Sequence, residues 1–229
     1  MCGRFYLDAK TDELLVLFSL TATPQITPRF NIAPSQNIAA VIDTPKGRHA
    51  RLFRWGLLPS WAKQSKPGFQ TFNARIETLD SKPAFHTPFR TQRCLVPASG
   101  YFEWQATPTG KQPYCIRHRS DPIMAFAGLY DRWTGQAGES IDSCTLIVAD
   151  ASPKLQEIHD RMPVILSPGD FDAWLDRDNH DVDQLRSLLK NRQLTGFESY
   201  PVSARVNNPR QDDPECIQPL GEDQSTFLF

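Results

Sequence analysis

The spacing of hydrophobic residues predicts helices near both ends of the chain and strands between them. Residues 8–20, DAKTDELLVLFSL, begin with acidic residues and continue with apolar residues at helical spacing, which is typical of an amphipathic helix. The next stretch, TATPQITPRFNIAPSQ, contains three prolines and predicts an irregular connection. Later in the chain, helices are predicted for SPKLQEIHD, SPGDFDAWL and DVDQLRSLLK, the first two with Ser at the N-cap and Pro at the first helical position.

Residues 37–150 show the alternation and the turn signals of β-strands. The predicted strands are NIAAVID, HARLFRW, RCLVPAS, GYFEWQ, QPYCIRH, PIMAFAGLY and SCTLIVAD. Because strands cluster in the middle without βαβ alternation, we predict one β-rich α+β domain whose antiparallel or mixed sheet curls toward a barrel, flanked by short helices. We place this domain at residues 1–220 and predict a flexible tail over residues 221–229.

The composition of the chain limits which partners it can bind and in which cellular compartment it can function. The chain has 229 residues and a formal net charge of −1, so no global positive field attracts nucleic acid, and any DNA contact requires a local patch. Five cysteines, an odd number without a CxxC pair, indicate a reducing compartment. No apolar stretch is long enough to span a bilayer. We therefore expect a soluble, cytoplasmic monomer that does not bind membranes.

Cys2 is the first candidate for chemistry. Removal of Met1 would leave a free α-amine and a thiol on one residue, a 1,2-aminothiol. The α-amine has a reference pKa of about 8 and the thiol one of about 8.5, so both are usable nucleophiles near neutral pH. An ordinary buried thiol that happens to come early is the alternative.

Three further stretches place charged groups among apolar residues. Glu103 in YFEW either points to solvent or, if it faces a pocket, has a raised pKa and transfers protons. His159 in EIHDRMP either interacts with a helix dipole or belongs to a site at the end of an element. Asn73 and Arg75 share one face if their segment is extended, which suits an oxygen or a phosphate, although a turn or a salt bridge with Glu77 explains them nearly as well.

A local basic and aromatic patch is also possible. Trp61 in WGLLPSW is either a core residue or a rim aromatic that stacks on an unpaired base. Several arginines could together supply the positive charge: Arg4, Arg54, Arg75, Arg90, Arg93 and Arg161. The scattered histidines, the lack of HExxH and paired cysteines, and the lack of a phosphate-binding glycine motif predict neither a metal nor a cofactor.

Eight motifs together resemble one family, the SOS response-associated peptidase (SRAP) domain. They occur in the family's order from Met1 to about Leu220: MCGRF, RFNIAPSQ, RWGLLPSWA, FNARIET, RCLVPASGYFEW, KQPYCI, IHDRMPVIL and VSARVNNPRQDDPE. The resemblance implies a sensor of abasic sites in single-stranded DNA that forms a covalent, protective thiazolidine crosslink. Ser99 departs from the family pattern, which often has Asp before this glycine, while Glu103 keeps its place.

Site residues follow from the resemblance by matching positions. It implies catalytic roles for Cys2, Asn73, Glu103 and His159, and DNA binding by Arg4, Arg75, Arg161 and Trp61. Under this hypothesis His159 and Glu103 move protons and Asn73 hydrogen-bonds the N-terminal residue. The peptidase label then fits autoprocessing, here the loss of Met1, and a lyase side reaction by β-elimination is chemically possible.

Three alternatives remain open at this point. Class II glutamine amidotransferases also begin MCG and use the exposed cysteine, although this chain has no NGD block or synthetase half. A non-covalent single-stranded DNA binding module would make Cys2 incidental. General proteolysis by Cys2 and His159 is conceivable, but nothing in the sequence resembles a pocket for peptide specificity.

Overall fold

The computed structural model describes residues 2–65, 71–190 and 195–221, and the backbone of residues 227–228. The strands are β1 Phe5–Leu7, β2 Arg29–Ile32, β3 Asn37–Thr44, β4 Gly47–Trp55, β5 Asn73–Arg75, β6 Arg93–Ala98, β7 Gly100–Thr107, β8 Gly110–His118, β9 Met124–Thr134, β10 Ser140–Asp150, β11 Arg161–Pro163, β12 Ile165–Leu166, β13 Phe197–Pro201 and β14 Phe227–Leu228. The α-helices are α1 Thr11–Leu17, α2 Pro83–Thr91, α3 Phe171–Leu175 and α4 Val182–Lys190.

Five strands close into a barrel in the order β10-β4-β3-β6-β9, with β9 pairing back onto β10. The β10–β4 pairing is parallel, and the other pairings around the barrel are antiparallel. Beyond its contact with β4, β10 carries β5 in parallel and β11 in antiparallel pairing. The prediction of a single β-rich domain with a curled, mixed sheet is therefore confirmed.

A second, antiparallel sheet has the order β14-β13-β8-β7-β1-β2 and packs against the barrel. Aromatic edge contacts join the two: the ring of Phe5 on β1 lies 5.1 Å from Trp55 and 6.0 Å from Phe126. Tyr101 on β7 also meets Phe126, at 6.1 Å. These buried rings belong to one continuous hydrophobic core.

The N-terminal strand lies inside the second sheet, between β2 and β7. It can approach β7 closely because residue 100 is Gly, where a Cβ would press on the ring of Tyr6 and lie 2.8 Å from the carbonyl oxygen of Ile116. This position of β1 brings Cys2, three residues before it, into the protein interior.

The predicted strands of the middle segment are present, and DVDQLRSLLK forms α4 as predicted, whereas other helices differ in length. The first helix covers Thr11–Leu17 instead of residues 8–20, because Glu13 accepts a hydrogen bond from the backbone N–H of Lys10 and starts the helix there. SPKLQEIHD forms only a 3₁₀ turn at Leu155–Glu157. Helix α2 was not predicted, since Pro88 interrupts its pattern.

The described residues contain no helix long and apolar enough to cross a membrane. The predicted tail, residues 221–229, lies largely outside the described residues, apart from Gly221 and the β14 backbone that pairs with β13. Its flexibility stays a prediction.

Candidate functional site

Cys2 is held at the junction of the two sheets. It precedes β1 by three positions and is completely buried. The side-chain Nδ2 of Asn73 donates a hydrogen bond of 2.7 Å to the carbonyl oxygen of Cys2. Asn73 begins β5, which pairs in parallel with β10 through Leu146. The barrel thus presents an amide directly to the main chain of Cys2.

The surroundings of Cys2 keep its thiol protonated. Burial raises its pKa well above the ordinary value, and the nearby Glu103 carboxylate raises it further. A weak contact of 3.9 Å runs from its Sγ to the carbonyl oxygen of Arg4. Near neutral pH the side chain is therefore a thiol, and forming a thiolate requires a base that accepts its proton.

Glu103 faces the interior and not the solvent. It lies on β7 opposite Tyr114, and only 4% of it is exposed. Burial raises the pKa of its carboxyl group from 4.5 to about 7. A carboxyl group with this pKa both donates and accepts protons at neutral pH.

His159 approaches Glu103 from the barrel side. It follows the 3₁₀ turn at Leu155–Glu157, and its Nε2 lies 3.8 Å from Oε2 of Glu103. The Nδ1 side of the ring meets the backbone N–H of Arg161 at 3.0 Å and Oδ1 of Asp160 at 3.0 Å, while Nε2 faces Glu103. Burial lowers the pKa of His159, which favours the neutral form, although the Asp160 carboxylate opposes this shift.

Two of the predicted DNA-binding arginines lie across β10 from each other. Arg75 pairs with Val148 and is exposed on the same face of β5 as Asn73. Arg161 pairs with Asp150, and its Nη1 donates to Oε1 of Glu77 at 2.5 Å. The same nitrogen lies 3.3 Å from Oδ1 of Asp150. The alternative salt bridge between Arg75 and Glu77 does not form. The Glu77 carboxylate binds Arg161 instead.

Arg4 is directed inward, toward the C-terminal part of the domain. Its Nη1 donates to Oδ1 of Asn31 at 2.8 Å and to the carbonyl oxygen of Val206 at 2.5 Å. Its guanidinium carbon lies 5.9 Å from the centre of the Trp104 ring, within cation–π distance. Burial lowers its pKa. These contacts make Arg4 an anchor of the first strand.

Trp61 is 59% exposed, whereas Trp55 at the start of the same segment is fully buried. The segment is fastened beside the barrel: the backbone N–H of Ser60 donates to Asp131 at 2.8 Å, and Trp133 donates to the carbonyl oxygen of Ala62 at 2.6 Å. The Trp61 ring is therefore free to stack on a ligand, and its anchors belong to the β9 side of the barrel and not to Cys2.

An open pocket of about 420 Å³ lies over Glu103 and His159. Its other lining residues are Trp104, Lys111 and Asn207, none of which the sequence analysis singled out. Trp104 directly follows Glu103, and Asn207 lies in the VSARVNNPRQDDPE block, so the motifs contained this signal. Within the described part of the chain, no group of three His, Cys, Asp or Glu side chains could hold a metal ion.

A buried asparagine, also absent from the sequence analysis, ties the site to the C-terminal loop. Asn31 donates its Nδ2 to the carbonyl oxygens of Gln211 at 2.6 Å and Asn208 at 3.0 Å. The carboxylate of Asp212 accepts from the backbone N–H of Asn31 at 2.9 Å. This network holds Asn207 and its neighbours against the first two strands.

Comparisons with known proteins give a consistent result. A family model described as SOS response associated peptidase (SRAP) matches residues 1–209. The abasic site processing protein YoqW of Bacillus subtilis is 39% identical over 222 residues, covering 95% of this chain and 99% of that protein. The abasic site processing protein HMCES of Gallus gallus is 35% identical over 191 residues, covering 73% of this chain and 56% of that protein. A crystal structure from Bacteroides thetaiotaomicron, 24% identical, shares the fold with a TM-score of 0.84 over 96% of this chain and all of that one.

Proposed function

Because the chain belongs to the SOS response associated peptidase family, we propose that it processes abasic sites in single-stranded DNA by trapping them covalently on Cys2 after Met1 is removed. Relatives named abasic site processing proteins support the substrate class. The partner is then DNA that contains an abasic sugar, and the protein acts as a cytoplasmic monomer without a cofactor.

The single observation that carries the proposal is the hydrogen bond of 2.7 Å from Asn73 to the carbonyl oxygen of Cys2. An incidental buried cysteine needs no side chain that fixes its main chain. Here an amide orients the N-terminal residue, while the Glu103 carboxyl group and the His159 imidazole lie 3.8 Å apart beside it. Such preorganisation is what a reacting α-amine requires.

The first bond is formed by the α-amine, since burial keeps the Cys2 thiol protonated. The abasic sugar opens from its hemiacetal to an aldehyde, which needs a proton transfer that His159 and Glu103 are placed to perform. The amine attacks C1′, and loss of one water molecule gives a Schiff base. Glu103, with a pKa of about 7, protonates the leaving hydroxyl group.

The second bond closes the ring. The thiol sulfur adds to the Schiff-base carbon, Glu103 accepts the thiol proton and passes it to the imine nitrogen, and a thiazolidine results with no further loss of atoms. Ring closure removes the imine that would acidify C2′, so it suppresses β-elimination and lyase activity. His159 also assists the slow reversal of the crosslink by donating a proton to the thiazolidine ring.

Affinity for DNA rests on phosphates and stacked bases, because an abasic site has no base to recognise. Arg75 and Arg161 are the phosphate contacts and Trp61 is the stacking residue in this proposal. Binding should therefore weaken with salt and show little sequence preference.

The test is the intact mass of the purified protein, alone and after incubation with a single-stranded oligonucleotide that contains one abasic site. The expected chain lacks Met1 and gains the mass of the oligonucleotide minus one water. Cys2→Ala keeps the α-amine but lacks the thiol, so it should give an adduct only when borohydride reduces the Schiff base.

Undamaged oligonucleotide serves as the control for specificity. A processed chain that forms no adduct with damaged DNA contradicts the proposal, and glutamine hydrolysis and non-covalent DNA binding would then be measured. In this scheme the peptidase activity is limited to the loss of Met1, and cleavage of unrelated proteins should not be detectable.

A further inference from the structure

The pocket over Glu103 has a second wall that the proposed reaction does not use. Trp104 and Lys111 come from the β7–β8 hairpin, and Asn207 comes from the 3₁₀ helix Ala204–Asn207. We propose that Lys111 and this wall form a subsite for the phosphodiester on one side of the abasic nucleotide. The inference deepens the proposed function and rests on it.

The first argument is the position of the reaction centre between the two sheets. Glu103 belongs to the second sheet, whereas His159 directly precedes β11 on the barrel side. Arg75 and Arg161 flank β10 and so lie on the barrel side as well. A sugar in a nucleotide chain carries a phosphate on each side. A sugar held between the sheets therefore directs one phosphate to the arginines and the other to the β7–β8 hairpin.

The second argument is that Lys111 is the available cation on the hairpin side. It is exposed, and among the described residues it makes no ion pair. Arg4, the neighbouring cation, uses its Nη1 for Asn31 and Val206 and cannot reach outward without breaking these bonds. Arg161, in contrast, already binds two carboxylates.

The third argument is the fixed geometry of the wall. Trp104 donates from Nε1 to Oδ1 of Asn207 at 2.7 Å, and Arg4 lies against its ring. These contacts fix the ring at the edge of the pocket, and the Lys111 side chain that lines the pocket with it is exposed. An aromatic wall next to an exposed ammonium group suits a sugar–phosphate chain, which offers apolar ring edges and anionic oxygens together.

The magnitude follows from the exposure of Lys111. A solvent-exposed ion pair contributes little, so Lys111→Gln should slow adduct formation about two- to fivefold at low salt. Loss of one phosphate contact on single-stranded DNA should reduce the slope of log rate against log salt by about 0.7. The difference between variant and wild type should then disappear at high salt.

The experiment compares wild type, Lys111→Gln and the matched control Lys46→Gln, an exposed lysine in the turn between β3 and β4. Adduct formation is measured on three abasic oligonucleotides: one unmodified, one with a neutral methylphosphonate on the 5′ side of the lesion, and one with it on the 3′ side. On one of the two neutral oligonucleotides, the wild-type rate of adduct formation should fall. The factor should equal the one by which Lys111→Gln lowers the rate on the unmodified oligonucleotide. On that neutral oligonucleotide, Lys111→Gln should form the adduct at the same rate as wild type.

Other outcomes overturn the inference. The inference is wrong if Lys111→Gln has the wild-type rate and the wild-type salt slope. It is also wrong if the rate losses from the substitution and from the methylphosphonate add up on both neutral oligonucleotides. Urea midpoints establish that the variant is folded, and the two neutral oligonucleotides test the subsite with wild-type protein alone. Wild type that forms no adduct on any oligonucleotide overturns the proposed function itself, and this inference with it.

Discussion

Replacing Glu103 by Gln should stabilise the protein at alkaline pH while it impairs the reaction. Glutamine has the shape of a protonated glutamic acid but cannot ionise. Burial raises the pKa of Glu103 from 4.5 to about 7, so the folded state holds this proton over a pH range in which the unfolded state has released it. Stability due to this group therefore falls as the pH rises from about 4.5 to about 7, and the full cost of ionisation remains above that range.

The magnitude follows from the pKa values. Each factor of ten in proton affinity corresponds to about 1.4 kcal/mol, so the ionised carboxylate costs the folded state roughly 3 kcal/mol. No discount for solvent screening is needed, because only 4% of the residue is exposed. Glu103→Gln should therefore gain about 2–3 kcal/mol on wild type between pH 5 and pH 8, because the carboxyl group of the unfolded chain is already mostly ionised at pH 5.

Urea unfolding of both proteins at pH 5 and pH 8 measures this gain. The pH dependence due to His159 cancels to first order, since both proteins contain it. Glu139→Gln, an exposed position in the β9–β10 turn, is the control and should leave the difference near zero. A gap between Glu103→Gln and wild type that is the same at both pH values would refute the reasoning. The same variant should form the DNA adduct at least tenfold more slowly, since it lacks the proton donor and acceptor.

Three other changes test separate contacts. Asn73→Ala removes the hydrogen bond to the carbonyl oxygen of Cys2. It should slow adduct formation at least tenfold, measured by intact mass, and lower the unfolding free energy by about 1 kcal/mol, measured by urea titration. An unchanged rate would contradict the orienting role. Glu77→Gln removes the shorter of the two ion pairs of Arg161 and should tighten binding of undamaged single-stranded DNA about two- to fivefold at low salt, measured by fluorescence anisotropy. Weaker binding would mean that Glu77 positions the arginine instead. Asn31→Ala removes the side-chain hydrogen bonds to Arg4 and to the carbonyl oxygens of Val206, Asn208 and Gln211, and should lower the unfolding free energy by about 2–4 kcal/mol. A loss below about 0.5 kcal/mol would show that the network contributes little.

The middle of the fold was predictable because each strand carries its own alternation and turn signals. The closure of the barrel was less so, because it depends on the pairing of β9 with β10 and on the parallel contact between β10 and β4, which are long-range choices. Helix lengths were predicted unevenly: DVDQLRSLLK matches α4 to within one residue, whereas two other helices are shorter than predicted. SPKLQEIHD has the signals of a helix start, yet tertiary packing of Leu155 and Ile158 limits it to one 3₁₀ turn.

The candidate site was partly accessible from sequence. Cys2, Glu103 and His159 stood out as reactive groups in apolar surroundings, but only the fold shows that Glu103 faces inward and His159 faces Glu103. Lys111 begins the KQPYCI block, but the sequence analysis assigned it no role, because a single exposed lysine resembles any other. Its position depends on the hairpin register that pairs it with Ala106.

The hydrogen bonds from Arg4 to Val206 and from Asn31 to Gln211 span nearly the whole length of the chain. During synthesis, the hydrogen bonds of the first two strands to these partners therefore cannot all form until residue 211 has left the ribosome. At about 5–20 residues per second, this interval is roughly ten to forty seconds. The strand that follows Cys2 is thus synthesised first and reaches its last partners only when synthesis is nearly complete.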